Sequence, residues 1–136
     1  MTQSPLLFSP GTGEYAHGTS PLSSSAEQHP GFVAVPRTAA DVGEIVTEAA
    51  ARGLVVMPQA TGHGASGAVD EKTIIVDTSS LDDLHIDAES RTASAGAGQT
   101  WGTVNAQAER YGLLGLAGSA PSARSPGSPS AAGSAG

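Results

Sequence analysis

The clearest alternation of hydrophobic and polar positions lies between residues 31 and 57. The apolar run Phe32 to Val35 ends at a proline, which is typical of a short β-strand. Apolar residues then recur at the spacing of one helix face, which predicts an amphipathic helix. That face consists of Val42, Ile45, Val46, Ala49 and Ala50. The next apolar run, Leu54 to Met57, predicts a second strand parallel to the first, because a helix joins them.

Capping residues mark both ends of this helix. Thr38, followed three residues later by Asp41, predicts a capping box, in which each side chain accepts a backbone N–H. Arg52 lies in the last turn, where a cation is favourable, and Gly53 is suited to the left-handed residue that ends a helix. The sequence therefore predicts a β-α-β unit.

Residues 73–116 mix strand and helix patterns, so the predicted fold class is α+β. The predicted strands are Thr73 to Asp77, a hairpin of Leu84 to Asp87 with Arg91 to Ala95, and Leu113 to Leu116. A helix from about Thr100 to Arg110 precedes the last strand, with Gly112 as its stop. Its predicted buried residues are Trp101, Val104, Ala108 and Tyr111.

Composition divides the chain into three parts. Residues 1–28 are rich in Ser, Pro, Gly and Thr without any period, and they predict a loosely ordered leader with an element near Leu6 to Phe8. Residues 29–117 carry the patterns of a folded domain. Residues 118–136 contain nothing larger and more apolar than Ala or Pro, and they predict a disordered tail. The fold is therefore expected to be incomplete.

The loop between the second and third strands is the main candidate for chemistry. Its sequence is Pro58-Gln59-Ala60-Thr61-Gly62-His63-Gly64-Ala65-Ser66-Gly67. Small residues let backbone N–H groups converge on a phosphate oxygen, and a glycine-rich solvent loop is the alternative. The match of Gly62, Gly64 and Gly67 to a dinucleotide fingerprint is rejected. Only five residues, 68–72, separate it from the next strand, too few for the helix that the fingerprint requires.

The charge and the residue types exclude several classes of function. The net charge is −7, from 13 acidic and 6 basic residues, and no Lys/Arg stripe is present, so we expect neither nucleic acid nor a membrane as partner. A phosphate would be held by backbone dipoles. The absence of cysteine excludes disulfides and Cys-ligated zinc. No secretory signal or membrane-length apolar run is evident, which predicts a cytoplasmic protein. Surface positions are expected for His17, His29 and His85, and no metal site is expected at Asp82, Asp83 and Asp87.

Several motifs follow one another in a fixed order between residues 30 and 122. They are Val35-Pro36 with Asp41-Val42, Pro58 to Gly64, Ile74 to Asp77 with Leu81, Ile86-Asp87 with Arg91 to Ala93, Ala95 to Gly98 with Trp101-Gly102, and Tyr111 to Leu113 with Gly118-Ser119 and Pro121. In this order they resemble the N-terminal, PCMH-type FAD-binding domain of vanillyl-alcohol-oxidase flavoproteins, in the berberine-bridge-enzyme-like branch. The resemblance implies an incomplete PCMH-type FAD-binding fold.

The resemblance also implies a cofactor and the residues that bind it. FAD would place its pyrophosphate on main-chain N–H groups of the loop, and a second segment would also contact it. The predicted contacts are Ala60, Thr61, Gly62, His63, Gly64, Ala65, Ser66, Gly118 and Ser119. In many members a histidine matching His63 is bonded covalently to the flavin, while other members bind it without a bond. The commoner loop has Arg at Gln59, and the cysteine of doubly attached flavins is absent here.

The complete enzyme would oxidise a small organic substrate, whereas the chain alone is expected to be inactive. In this family the substrate domain and the catalytic base follow later, so no catalytic residue is predicted. After Ser122 the family continues with an apolar strand and a run of glycines. Codons can be chosen so that another frame encodes this continuation, which suggests a frameshifted fragment. The alternatives are a non-catalytic module that binds a phosphorylated ligand and a non-functional gene fragment.

Overall fold

The computed structural model of the chain describes residues 6–19, 28–60, 69–115 and the backbone of 132–134. The chain divides into two units, residues 1–80 and residues 81–136. Both helices and strands occur in each unit, so the α+β class predicted from the sequence is confirmed.

The first unit contains a four-stranded sheet and two helices. Its elements are β1 (Leu7–Phe8), α1 (Gly13–Gly18), β2 (Phe32–Ala34), α2 (Ala39–Arg52), β3 (Val55–Gln59) and β4 (Thr73–Asp77). The strand order is β1-β2-β4-β3, with β1 antiparallel to β2 and the other three strands parallel. The predicted β-α-β unit is therefore confirmed, and β4 lies between the two strands that α2 connects.

The predicted caps of α2 are present. Thr38 Oγ1 accepts the Asp41 N–H at 3.1 Å, and Asp41 Oδ2 accepts the N–H groups of Arg37 at 2.8 Å and Thr38 at 3.0 Å. The Arg37 N–H, followed by that of Thr38, holds the pKa of Asp41 below its ordinary value. Gly53 ends the helix in the left-handed conformation with φ 65°. The helix thus begins and ends where the sequence predicts.

Both faces of the sheet are covered. Ile74 and Val76 of β4 pack with Ile45 and other residues on one face, while Ile75 packs with Val33, Val69 and Tyr15 on the other. All five residues of β4 are buried. A strand buried on both faces has no polar alternation, which explains its continuous β-branched sequence.

Three details of this unit differ from the sequence prediction. Val46 of α2 is 48% exposed, because contact with the sheet is confined to the narrower stripe of Ile45 and Ala49. β3 continues through Pro58 to Gln59 instead of ending at Met57, since the missing N–H of a proline is tolerated on an edge strand. Helix α1 was not predicted, because six residues show no helical period.

The second unit consists of a hairpin, a helix and a short strand pair. Its elements are β5 (Leu84–Asp87), β6 (Thr92–Ala95), α3 (Trp101–Ala108), a 3₁₀ turn (Glu109–Tyr111), β7 (Leu113–Gly115) and β8 (Ala132–Ser134). Asp87 pairs with Thr92, so the predicted hairpin is confirmed, with Arg91 in its turn at φ 56°.

One detail of the second unit differs from the prediction. Tyr111 is 56% exposed, whereas Trp101, Val104 and Ala108 are buried as predicted. The 3₁₀ turn after Ala108 has three residues per turn, which rotates Tyr111 away from the buried face of α3. Within residues 118–136 only the backbone of β8 is described, and it pairs antiparallel with β7, so the predicted disorder of this segment stays a prediction.

Candidate functional site

The parallel strands β2, β4 and β3 end at one edge of their sheet. Ala34 lies opposite Val76, and Gln59 lies opposite Asp77. Just beyond these ends, the Thr78 N–H donates to the Gln59 carbonyl at 3.1 Å. Ligands of open α/β sheets bind outside the carboxyl ends of the strands. This edge, named here the carboxyl edge, is therefore the first place to look for a site.

The predicted phosphate loop leaves the sheet at the carboxyl edge. Ala60 follows directly after β3 and is half-buried. The chain is described again from Val69, which is buried against Val33 and Ile75. The predicted contacts Thr61, Gly62, His63, Gly64, Ala65, Ser66, Gly118 and Ser119 lie outside the described residues. Only Ala60 of the predicted set is placed, and the other contacts stay predictions.

An open cleft of about 440 Å³ lies at the same carboxyl edge. Its lining combines one side of α1 with the strand ends and the turn that follows β4. The lining residues are Gly13, Glu14, His17, Val35, Asp77, Ser79 and Ser80. Pockets for small molecules have volumes of roughly 300–1,000 Å³, so the cleft is large enough for part of a nucleotide cofactor.

The turn after β4 is held in place by Asp77. This side chain is 6% exposed, and its Oδ1 accepts the Ser79 N–H at 2.9 Å. The turn brings the Ser79 and Ser80 residues to the cleft. Together with Glu14, the lining offers carboxylate and hydroxyl oxygens, which accept hydrogen bonds from hydroxyl or amino groups of a ligand. Such a lining suits an uncharged, hydroxyl-bearing group better than an anion.

Gln59 has a role that the sequence did not reveal. Its Nε2 donates to the Gly18 carbonyl at 2.9 Å, and its Oε1 accepts from Gln28 Nε2 at 3.0 Å. These partners lie 41 and 31 residues away in the chain. Local sequence carries no signal for such contacts, and the sequence indicates at this position only a departure from the arginine of the commoner loop.

The remaining titratable groups form no second site among residues 6–19, 28–60 and 69–115. His17, His29 and His85 are exposed, as predicted. No group of three His, Asp or Glu side chains in this part of the chain could hold a metal ion. The described helices include none long and apolar enough to cross a membrane.

Comparison with known proteins decides the family. Residues 30–135 match the model of a family described as the FAD binding domain. The chain belongs to this family. No curated protein matches the chain in sequence.

Solved structures share the fold. The chain is similar to 6-hydroxy-D-nicotine oxidase from Arthrobacter nicotinovorans, with a TM-score of 0.79 and 23% identity over 91% of this chain and 29% of that one. It is similar to Physcomitrella patens BBE-like 1, with a TM-score of 0.76 and 24% identity over 87% of this chain and 26% of that one. A third similar structure is CrmK, a flavoenzyme of shunt product recycling in caerulomycin biosynthesis. Its TM-score is 0.72, at 26% identity over 86% of this chain and 24% of that one.

These matches confirm three predictions from the sequence. The fold is the PCMH-type FAD-binding fold, the cofactor is FAD, and the chain is an FAD-binding domain. The chain spans 24–29% of the length of the three solved structures. This chain therefore matches a minor part of each relative.

Proposed function

We propose that this chain binds FAD at the carboxyl edge of its parallel sheet and serves as the cofactor-holding part of an oxidoreductase. The observation that carries the proposal is the position of Ala60. The first residue of the predicted phosphate loop lies at the edge that also holds the cleft lined by Asp77 and Ser79. Family membership supplies the cofactor, and the position of Ala60 beside the cleft supports this edge as its place.

The chemistry of this edge fits the different parts of FAD. The cofactor carries an anionic pyrophosphate as well as uncharged ribose and ribityl hydroxyls. Glu14 and Asp77 in the cleft would repel the pyrophosphate and would accept hydrogen bonds from hydroxyl groups. We therefore assign the pyrophosphate to the main-chain N–H groups of the loop that starts at Ala60, and a hydroxyl-bearing part of FAD to the cleft.

Bound FAD supplies the redox chemistry, accepting a hydride equivalent from an organic substrate and passing electrons to an acceptor, for which we propose O₂. The protein binds and orients the cofactor. Because the chain spans about a quarter of its structural relatives, the proposal gives the chain FAD binding without turnover. Oxidation of a small organic substrate belongs to an enzyme of the relatives' full length.

A titration with three ligands tests the proposal. Purified chain is titrated with FAD, with riboflavin and with ADP, and binding is followed by flavin fluorescence or calorimetry. We expect FAD to bind more tightly than either part, because the loop and the cleft hold different ends of it. Equal affinity for FAD and ADP would favour a general phosphate-binding module, and no uptake of FAD would overturn the proposal.

A charge placed at Ala60 tests the assignment of the pyrophosphate. Ala60→Glu puts a carboxylate at the start of the loop, and repulsion is expected to weaken FAD binding by about tenfold or more. The control is Ala88→Glu in the exposed turn of the β5–β6 hairpin, which adds the same charge to the chain. Equal losses in both variants would contradict the assignment.

Acid precipitation separates the two modes of flavin attachment that the resemblance implies for His63. If the imidazole is bonded to the flavin, yellow colour stays with the precipitate and His63→Ala releases it. If the histidine only shapes the loop, acid releases the flavin from the unmodified chain as well.

A further inference from the structure

We infer that Gln59 is a positioning residue for FAD binding, because its side chain holds helix α1 at the carboxyl edge. The inference rests on the proposed function, since it takes the cleft beside α1 as part of the FAD site. It concerns a residue that does not line the cleft itself. Gln59 acts through α1, whose Glu14 and His17 form one wall of the cleft.

The Gln59 side chain joins the end of β3 to the end of α1. Gln59 is the last residue of β3, and Gly18 is the last residue of α1. The Nε2–Gly18 O distance of 2.9 Å is that of a well-formed hydrogen bond. The bond reaches a carbonyl in the last turn of the helix, where carbonyl groups lack partners within the helix. It therefore satisfies a backbone acceptor and fixes the helix end at the same time.

Helix α1 depends on such contacts for its position. It has six residues, whereas isolated helices shorter than about 12–15 residues are marginal in water. Two further contacts hold it. The Tyr15 hydroxyl donates to the Pro30 carbonyl at 2.6 Å, and burial raises the pKa of that hydroxyl. Gly18 lies so close to Val33 that an added Cβ would meet Val33 Cγ1 at 2.5 Å. Without the Gln59 hydrogen bond, α1 would be held against the sheet by fewer contacts.

The side-chain amide of Gln59 acts both as a hydrogen-bond donor and as an acceptor. It donates through Nε2 to Gly18, and it accepts through Oε1 from Gln28, which is 5% exposed. A glutamate at this position would still accept from Gln28 but would face the Gly18 carbonyl with a carboxylate. An arginine would still donate to Gly18 but would face the Gln28 donor with donors of its own. An amide of this length satisfies both partners.

The test compares Gln59 variants by FAD affinity and by hydrogen exchange. Gln59→Met keeps the length and removes both bonds, while Gln59→Glu removes only the bond to Gly18. We expect the dissociation constant for FAD to rise about five- to tenfold in Gln59→Glu, as the loss of one hydrogen bond allows, and at least as much in Gln59→Met, which loses both. Amide exchange in α1 is expected to become faster in both variants before FAD is added.

A paired substitution distinguishes positioning from a general loss of stability. Gln59→Arg alone is expected to weaken FAD binding, and Gln59→Arg with Gln28→Glu is expected to restore it to within about threefold, because the new carboxylate accepts from the arginine. The matched control is Gln107→Met in α3, a half-buried glutamine whose side chain has no hydrogen bond among the described residues. It is expected to change neither FAD affinity nor exchange in α1.

The inference is overturned if exchange in α1 is unchanged in Gln59→Glu. It is equally overturned if exchange becomes faster while FAD affinity stays at the level of the unmodified chain. Failure of the unmodified chain to take up FAD would instead overturn the proposed function. In that case the exchange measurement, made without FAD, still decides whether Gln59 holds α1.

Discussion

The described residues of the two units of this FAD-binding domain differ in how fully their sheets are buried. In residues 1–80, β4 is buried along its whole length, and clusters of side chains cover both faces of the sheet. In the described part of residues 81–136, the β5–β6 hairpin has a single buried residue, Ala93, and a core cluster contains Ala108 and Leu113 with Ile86 packed against them. The difference follows from topology, since a covered parallel sheet is buried on both faces whereas a hairpin exposes one.

The comparison shows that residues 1–80 are better suited to hold the groups of a binding site in place. Functional groups are held most accurately when they extend from rigid elements. Ala60 follows β3 and Asp77 is the last residue of β4. Their backbone positions are therefore set by the hydrogen-bonded ladder between β3 and β4. The carboxyl edge therefore has the support that a cofactor site requires, and substitutions that loosen the sheet should also weaken FAD binding.

The largest expected effect comes from the centre of the sheet. Ile75→Ala leaves a cavity next to Val33 and Val69, and it should lower the free energy of unfolding by about 2–5 kcal/mol. Urea denaturation of purified protein measures this change. The control is Val55→Ala on the same sheet, where the side chain is 60% exposed and the change should be within about 0.5 kcal/mol. Similar losses in the two variants would show that the sheet is not packed as described.

A smaller effect is expected from a glycine in the second unit. A Cβ at Gly96 would collide with the Leu81 carbonyl, so Gly96→Ala should cost about 1–3 kcal/mol through overpacking. Gly43→Ala in α2 is the control, because nothing lies within 4 Å of its added Cβ. There the better helix propensity of alanine should stabilise the chain by about 0.5–1 kcal/mol. A stabilising Gly96→Ala would contradict the close approach of the two backbone segments.

The smallest expected losses of stability come from removing the N-cap threonines of α2 and α3. Thr38→Ala removes a capping box and should cost about 1 kcal/mol, measured by thermal denaturation. Thr100→Ala should lower the free energy of unfolding by less. Thr100 caps α3 through one bond, from the Thr103 N–H at 3.3 Å, and the first turn of α3 has no acidic residue to complete a capping box. A larger loss of stability in Thr100→Ala than in Thr38→Ala would contradict this prediction.

The contribution of Asp41 to the α2 cap should depend on pH. Since its pKa is lowered in the folded chain, its stabilisation is present above the unfolded value of about 3.9 and is lost as the pH falls through the folded value. Asp41→Asn should therefore destabilise the chain at neutral pH, and the difference should shrink on acidification. A difference that stays constant with pH would show that the carboxylate charge is not involved.

Local signals in the sequence predicted most elements of both units. Thr38, Asp41 and Gly53 act through neighbours in the chain, so the bounds of α2 could be inferred without a structure. The position of β4 between β2 and β3 could not, because strand order depends on pairing between distant segments. The same limitation hid the contacts of Gln59 with Gly18 and Gln28.

The candidate site was predictable only in part. The run of small residues after β3 indicated a phosphate loop, and Ala60 lies where that loop should begin. The cleft was not predicted, because Glu14 and His17 come from a six-residue helix with no recognisable pattern. The sequence predicts Asp77 only as the end of a strand, and its hydrogen bond with the Ser79 N–H forms only once the turn is folded.

Hydrogen exchange with and without FAD tests the central claim most directly, since it reports on both units in one measurement. The account predicts slower exchange on FAD binding in peptides that contain Gly13–Gly18, Gln59 with Ala60, and residues 77–80. The β5–β6 hairpin, Leu84–Asp87 with Thr92–Ala95, should exchange as it does without the cofactor. Protection confined to the hairpin, or none at the carboxyl edge, would contradict the assignment of the FAD site to the sheet of residues 1–80.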